Sequence, residues 1–228
     1  EVNPGSEEID QEYYEVVRKG GIAERLLVAA RDRMFRDFMH MVKPTAGSTV
    51  LDVGVSDVQV RGANWLESVY PYPPQITACG LGEGADFREA FPSIAYSKIA
   101  PNEPLPFPDD AFEVSTANAV LEHVGSIDNQ RRFVDEMVRV ARKAFIAVPH
   151  RFFPVEHHTK TPLLHFTDTT FRAACRVTGK TRWLEQKNLI LMSKSHLQSL
   201  APTGSIVRHT GIPLGPFSSN LLLFFEKP

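Results

Sequence analysis

Ser48-Thr49-Val50-Leu51-Asp52-Val53-Gly54-Val55-Ser56 decides the fold of this chain. A short apolar run enters a glycine, with a carboxylate two positions ahead of it. The run has the composition of a strand covered on both faces. The glycine marks a tight turn where backbone can come close to a ligand. Asp-x-Gly after a strand is by itself a common turn. It gains meaning from Leu105-Pro106-Phe107-Pro108-Asp109-Asp110-Ala111-Phe112-Glu113-Val114 and Val120-Leu121-Glu122-His123-Val124, which follow about sixty residues later.

Outward from this strand the pattern alternates. Further strands are expected at 76–79, 94–98, 112–117, 144–148 and 220–225, each a short apolar run. Ile22, Leu26, Ala30, Met34, Phe38 and Met41 recur every three or four positions and predict a helix, stopped by Lys43-Pro44-Thr45-Ala46-Gly47. A helix over 61–70 with Trp65, Leu66 and Val69 inward is ended by Tyr70-Pro71-Tyr72-Pro73-Pro74, because proline cannot donate to the helical ladder. Helices are also expected at 86–91, 169–178 and 193–200. Another begins at the N-cap Ser126, with Phe133, Met137, Val140 and Ala141 on one face. Strands alternating with helices imply right-handed crossovers, hence an α/β, doubly wound, mostly parallel sheet of seven strands. The expected organisation is an N-terminal helical extension over 1–43, its first twenty residues a loose or short helical arm. A domain over 44–228 follows, with a variable segment at about 150–215.

Composition narrows the partners. A net charge of -2 excludes a nucleic-acid binder that works by neutralising phosphates. Cys79 and Cys175 provide neither a disulfide framework nor a ligand cluster, and read as packed reduced thiols. No window has the length of uncharged apolar sequence that a membrane span needs. The first residues lack the basic-then-apolar layout of a signal peptide, so a cytoplasmic location is expected.

In their order and spacing, these segments resemble the cofactor half of class I S-adenosylmethionine-dependent methyltransferases, of the small-molecule, type 11-like kind. The resemblance spans roughly residues 48–166. It extends through Val148-Pro149-His150-Arg151-Phe152-Phe153-Pro154-Val155-Glu156-His157-His158. It implies S-adenosylmethionine as cofactor and a small-molecule acceptor, such as a sugar, lipid-linked or secondary-metabolite hydroxyl. By position it sets Asp52, Gly54, Val55 and Ser56 at the methionine end of the cofactor, with Asn64 capping that region. Gly80, Leu81 and Glu83 fall near the ribose, Asn102 and Glu103 near the adenine, and Asn118 and His123 beside the donor methyl group. The chain departs from the family pattern where acids are usual, at Gly80 and Pro101. Two lost hydrogen-bonding acids cost several kcal/mol of affinity, at about 1–3 each. A methyltransferase fold that has lost its donor site and serves as a binding or regulatory partner is therefore the alternative. A dinucleotide oxidoreductase is disfavoured, since the full G-x-G-x-x-G spacing is absent.

Methyl transfer is an in-line displacement at a carbon already activated by a sulfonium, so alignment and exclusion of water matter most. A base is needed only for a weakly acidic acceptor. His123 is the candidate for that role, against the plainer reading that it holds a helix start. His150, Arg151, Glu156 and His158 are candidates for binding the acceptor. No metal is expected, because adjacent histidines rarely share an ion and no His-x-x-x-His or Cys-x-x-Cys spacing occurs.

Overall fold

A computed structural model describes residues 22–57 and 61–228; the expected arm over the first twenty residues lies outside them. Helix α1 (Ile22–Val42) precedes β1 (Val50–Val53), β2 (Arg61–Asn64) and α2 (Trp65–Val69). Then come β3 (Ile76–Gly80), α3 (Ala85–Ala90), β4 (Ala95–Lys98) and β5 (Phe112–Asn118). The second half holds α4 (Ile127–Val140), β6 (Ala141–Pro149), α5 (Asp168–Val177), α6 (Lys194–Leu200), β7 (Ile206–Leu214) and β8 (Phe217–Glu226). Seven strands form one sheet in the order β4-β3-β1-β5-β6-β8-β7. The first five are parallel, whereas β8 runs antiparallel to both β6 and β7.

Both faces of the sheet are covered, which explains the unbroken apolar strands. On β8, Leu221 and Leu223 point into one core with Met137 and Val140 of α4 and Leu197 of α6. Leu222 and Phe224 alternate into the other, with Met34 and Phe38 of α1 and Phe87 of α3. Phe38 meets the Phe145 ring edge-on at 5.4 Å, so α1 is docked on the sheet. Asp37 of the same helix accepts hydrogen bonds from Thr210 Oγ1 at 2.6 Å and Arg208 Nη2 at 3.3 Å, both on β7. Ser126 caps α4 as expected, its Oγ accepting from Asn129 N at 3.1 Å.

Four sequence expectations fail locally; the simplest is Ala141, placed on the inward face of α4, which is instead the first residue of β6. The helix over 61–70 shrinks to α2, because Asn64 adopts a left-handed backbone with φ 47° that no helix passes through. Its fully buried residue is Glu67, whereas Trp65, Leu66 and Val69 are only half-buried. Leu26, placed on the inward stripe of α1, is 49% exposed. Strand β7 lies outside the expected strands, and it contains Gly211 and Pro213. An edge strand with a register shift between Thr210 and Pro213 accommodates both.

Candidate functional site

Strand order reverses between β1 and β5, where an open parallel sheet leaves a crevice beyond its carboxyl ends. The turn after β1 is pinned there, with Gly54 N and Val55 N both donating to Cys79 O, at 2.8 and 3.0 Å. Gly54 has φ 100°, and a Cβ at that position would stand 2.2 Å from Val120 Cγ2. Only glycine fits so close an approach. Ser56 and Asn64 clamp each other: Ser56 N donates to Asn64 Oδ1 at 3.0 Å, and Asn64 Nδ2 donates to Ser56 O at 2.7 Å. Across the opening, β5 ends at Asn118, whose buried Oδ1 has no hydrogen-bond partner. Ala119 follows with φ 59°, a strained conformation for a residue with a Cβ.

Helix α1 roofs the opening with Arg31, Met34 and Phe35. The void is about 1040 Å³, counting solvent at its open mouth. Asp52, Gly54, Val55, Ser56, Asn64, Asn118, His123 and His158 all line it, gathered from β1, the loop after it, β5 and the segment after β6.

The remaining carried-over positions do not line this crevice. At Gly80, a side chain would collide with the Tyr96 hydroxyl at 2.6 Å and Val55 O at 2.9 Å, so no acid fits there. Tyr96 donates to Gly82 O at 2.8 Å and closes that side. Leu81 is half-buried, and Glu83 is exposed and paired with Lys98. Asn102 and Glu103 are exposed in the loop before β5. Asp57, adjacent to the turn, has a structural role: its carboxylate accepts from Gly84 N at 3.0 Å and Phe87 N at 3.2 Å, at the start of α3.

Of the acceptor-binding candidates, His158 alone faces the crevice. His150 bonds Ser218 O through Nδ1 at 3.1 Å and packs edge-on to His209. Arg151 donates to His165 O at 3.2 Å and to Asp168 Oδ1 at 2.5 Å, tying the chain after β6 to α5. Glu156 is buried and turned inward. It accepts from His158 Nδ1 at 2.8 Å, from Thr159 Oγ1 at 2.7 Å, and from the amides of both residues. Burial alone would raise its pKa, but His158 and these donors outweigh it and hold the carboxyl far below the usual range. Glu156 therefore positions His158 and is withdrawn as an acceptor contact. His123 sits on a 3-10 turn (Leu121–His123), its Nδ1 2.6 Å from Asn188 O. Burial first, and the nearby His158 second, push its pKa down to about 3, so the ring is neutral.

Sequence reading missed two groups in this neighbourhood. Arg31 is 7% exposed and lines the crevice, and Glu67 is 4% exposed behind Asp52. The available signal for Arg31 was its place among Met34, Phe35 and Phe38 at helical spacing, since a cation on an apolar stripe is seldom there without a partner. Asp52 is raised to about 6, chiefly by burial. Glu67 is raised well above the usual carboxylate range, by burial first and then by the Asp52 charge. The nearby Arg31 guanidinium lowers both.

These shifts predict a pH dependence. The folded protein keeps protons here that the unfolded chain releases, whose carboxyls titrate near about 4. That stabilisation is complete below pH about 4 and is lost as pH rises through about 6. For Asp52 the difference amounts to about 3 kcal/mol at most. Urea unfolding at pH 5 and pH 7 should show stability falling toward pH 7. Glu67→Gln removes one of the two raised carboxyls, so its slope should be shallower. An unchanged slope in that variant would separate Glu67 from the effect.

The chain was compared with known proteins. A family model described as a methyltransferase domain matches residues 76–146. No curated protein matches in sequence. Magnesium protoporphyrin IX methyltransferase from Synechocystis PCC 6803, solved with S-adenosylhomocysteine, superposes with a TM-score of 0.60 at 10% identity. That match covers 99% of this chain and 96% of the other. The N-methyltransferase NodS from Bradyrhizobium japonicum WM9, also with S-adenosylhomocysteine, gives 0.56 at 13% identity over 97% of each chain. A Rhodobacter sphaeroides protein described provisionally as a zinc-dependent alcohol dehydrogenase gives 0.57 at 14%, over 96% of this chain and 98% of its own. The strand order and these superpositions give this chain the fold of class I methyltransferases, the fold its sequence resemblance implied, and the matched segment lies within it. One fold carries differently named proteins, so the chemistry must be argued from the crevice.

Proposed function

We propose that this protein transfers a methyl group from S-adenosylmethionine to a small molecule bearing a hydroxyl or comparable group. The observation that carries the reading is the convergence of Asp52, Gly54, Ser56, Asn64 and Asn118 on one void at the reversal of strand order. The methionine arm of the donor presents an ammonium and a carboxylate. Asp52 and the unpartnered Asn118 Oδ1 are acceptors suited to the ammonium. Arg31 is the cation suited to the carboxylate. The glycine turn lets the backbone approach the same arm. His123, neutral and a quarter exposed beside Asn118, is placed to accept a proton from an acceptor near the methyl group. The segment after β6, which contributes His158, is the acceptor side, and a sugar, lipid-linked or secondary-metabolite hydroxyl suits its polar lining. Among the described residues no helix is long and apolar enough to cross a membrane.

Calorimetry with S-adenosylhomocysteine tests the reading. A ligand at a hundred times its Kd adds about 2.7 kcal/mol of stability, so a clear rise in melting temperature is expected. No shift at millimolar ligand would reject donor binding. A second reading has an observation of its own: Tyr96 packs against Gly80, and Glu83 is spent on Lys98, so no carboxylate among the described residues takes up the ribose hydroxyls there. A binding or regulatory module that no longer uses the donor would show that absence of stabilisation.

A further inference from the structure

The loop after β5 and the segment after β6 bring His123 and His158 together, with Nε2 facing Nε2 at 3.1 Å. Each ring spends its other nitrogen on a group that only accepts. His123 Nδ1 is 2.6 Å from the Asn188 carbonyl, and His158 Nδ1 is 2.8 Å from the Glu156 carboxylate. Both Nδ1 atoms must therefore carry the proton, so with one proton on each ring a lone pair of each faces the other. Two lone pairs at that distance repel unless something positive lies between them.

Glu122 supplies the third element. It is 1% exposed, neither carboxylate oxygen has a hydrogen-bond partner, and Oε1 stands 3.8 Å from His123 Nε2. A buried carboxylate left so is costly. A proton shared between the histidines would relieve the facing nitrogens and place a positive charge near Glu122, but both oxygens of that carboxylate would still lack a hydrogen bond. A cation relieves all three at once, since the candidate ligand atoms lie within 4.8 Å of one another. Nitrogens held at ~2.0–2.1 Å by a tetrahedral ion stand about 3.3–3.4 Å apart, close to the separation found here. The Nδ1 contacts to a backbone carbonyl and a buried carboxylate are the outer partners that fix ligating histidines.

We propose that Glu122, His123 and His158 form a binding site for a divalent transition cation, zinc by its donor set, with the remaining coordination position turned to the crevice. Two imidazoles and a carboxylate suit zinc better than magnesium or calcium, which prefer oxygen. His123 and His158 both line the crevice, so a fourth ligand enters from there. Sequence spacing gave no such signature because the histidines are 35 residues apart and only the fold joins them. The site does not depend on donor binding; a cation held by His123 Nε2 takes the place of that nitrogen as a base in methyl transfer.

Metal-free, untagged protein titrated with cobalt(II) tests this. Uptake of one equivalent, with the visible d–d absorption of a four-coordinate ion, is expected, and zinc should displace it. Glu122→Gln, nearly isosteric, should weaken cobalt binding at least about tenfold, and Glu156→Gln about 10–100-fold through loss of orientation. Circular dichroism confirms that the variants are folded. If they are not, zinc-induced shifts of the His123 and His158 Nε2 resonances in the wild type identify the ligands. The proposal is overturned if wild-type protein takes up no stoichiometric cobalt, if folded Glu122→Gln binds it unchanged, or if those resonances do not move. A doubly protonated His158 persisting in excess zinc would also overturn it, and would assign the pair to a shared proton. Because S-adenosylhomocysteine binding is read by melting temperature without added metal, failure of one result leaves the other standing.

Discussion

Gly54→Ala should destabilise the folded protein by about 2–6 kcal/mol. The first contribution is backbone strain, because a residue with a Cβ pays about 1–3 kcal/mol to hold positive φ. The second is collision: the added carbon would lie 2.2 Å from Val120 Cγ2, and overpacking of this kind costs about 1–3 kcal/mol. Val120 belongs to the loop after β5, so the clash pushes apart the two walls of the crevice and should also weaken S-adenosylhomocysteine binding. Val120→Ala in the same chain should restore part of the stability, since it removes the collision and leaves the strain. The double-mutant cycle isolates that coupling. Urea unfolding of all four proteins is the measurement, and additive effects would show that the turn and the loop do not touch.

Arg31→Met should weaken S-adenosylhomocysteine binding by about 10–100-fold. A hydrogen bond to a charged group contributes about 1.5–3 kcal/mol, which is one to two decades of affinity. Methionine keeps the apolar stem packed on α1 while the guanidinium is lost. Adenosine, which lacks the methionine arm, separates recognition from general damage: its affinity should be unchanged by the substitution. Equal losses for the two ligands, or none for either, would remove Arg31 from the donor site. The variant also strips Asp52 and Glu67 of the cation that lowers their pKa values, so both should titrate higher than in the wild type.

Sequence alone determined the sheet and the location of its crevice. Val50–Gly54, 76–79 and 144–148 are largely apolar runs, which call for cover on both faces, and 112–117 lies between two of them in the sheet. The turn at Gly54–Ser56 was legible as a glycine at a strand end, whereas Asn64, Asn118 and His123 were set beside it by the family resemblance; the strand that Asn64 ends reads from the sequence as helix. Tertiary structure decided what depends on contacts between distant segments. Gly80 and Glu83 proved unsuited to the ribose role only once Tyr96 and Lys98, from β4, were seen against them. Arg31 entered the crevice because α1 docks on the sheet through Phe38 and Phe145. The facing of His123 and His158 arises from a loop after β5 meeting a segment after β6. Periodicity records which face of an element is buried; it holds no record of which side chains from separate elements meet there.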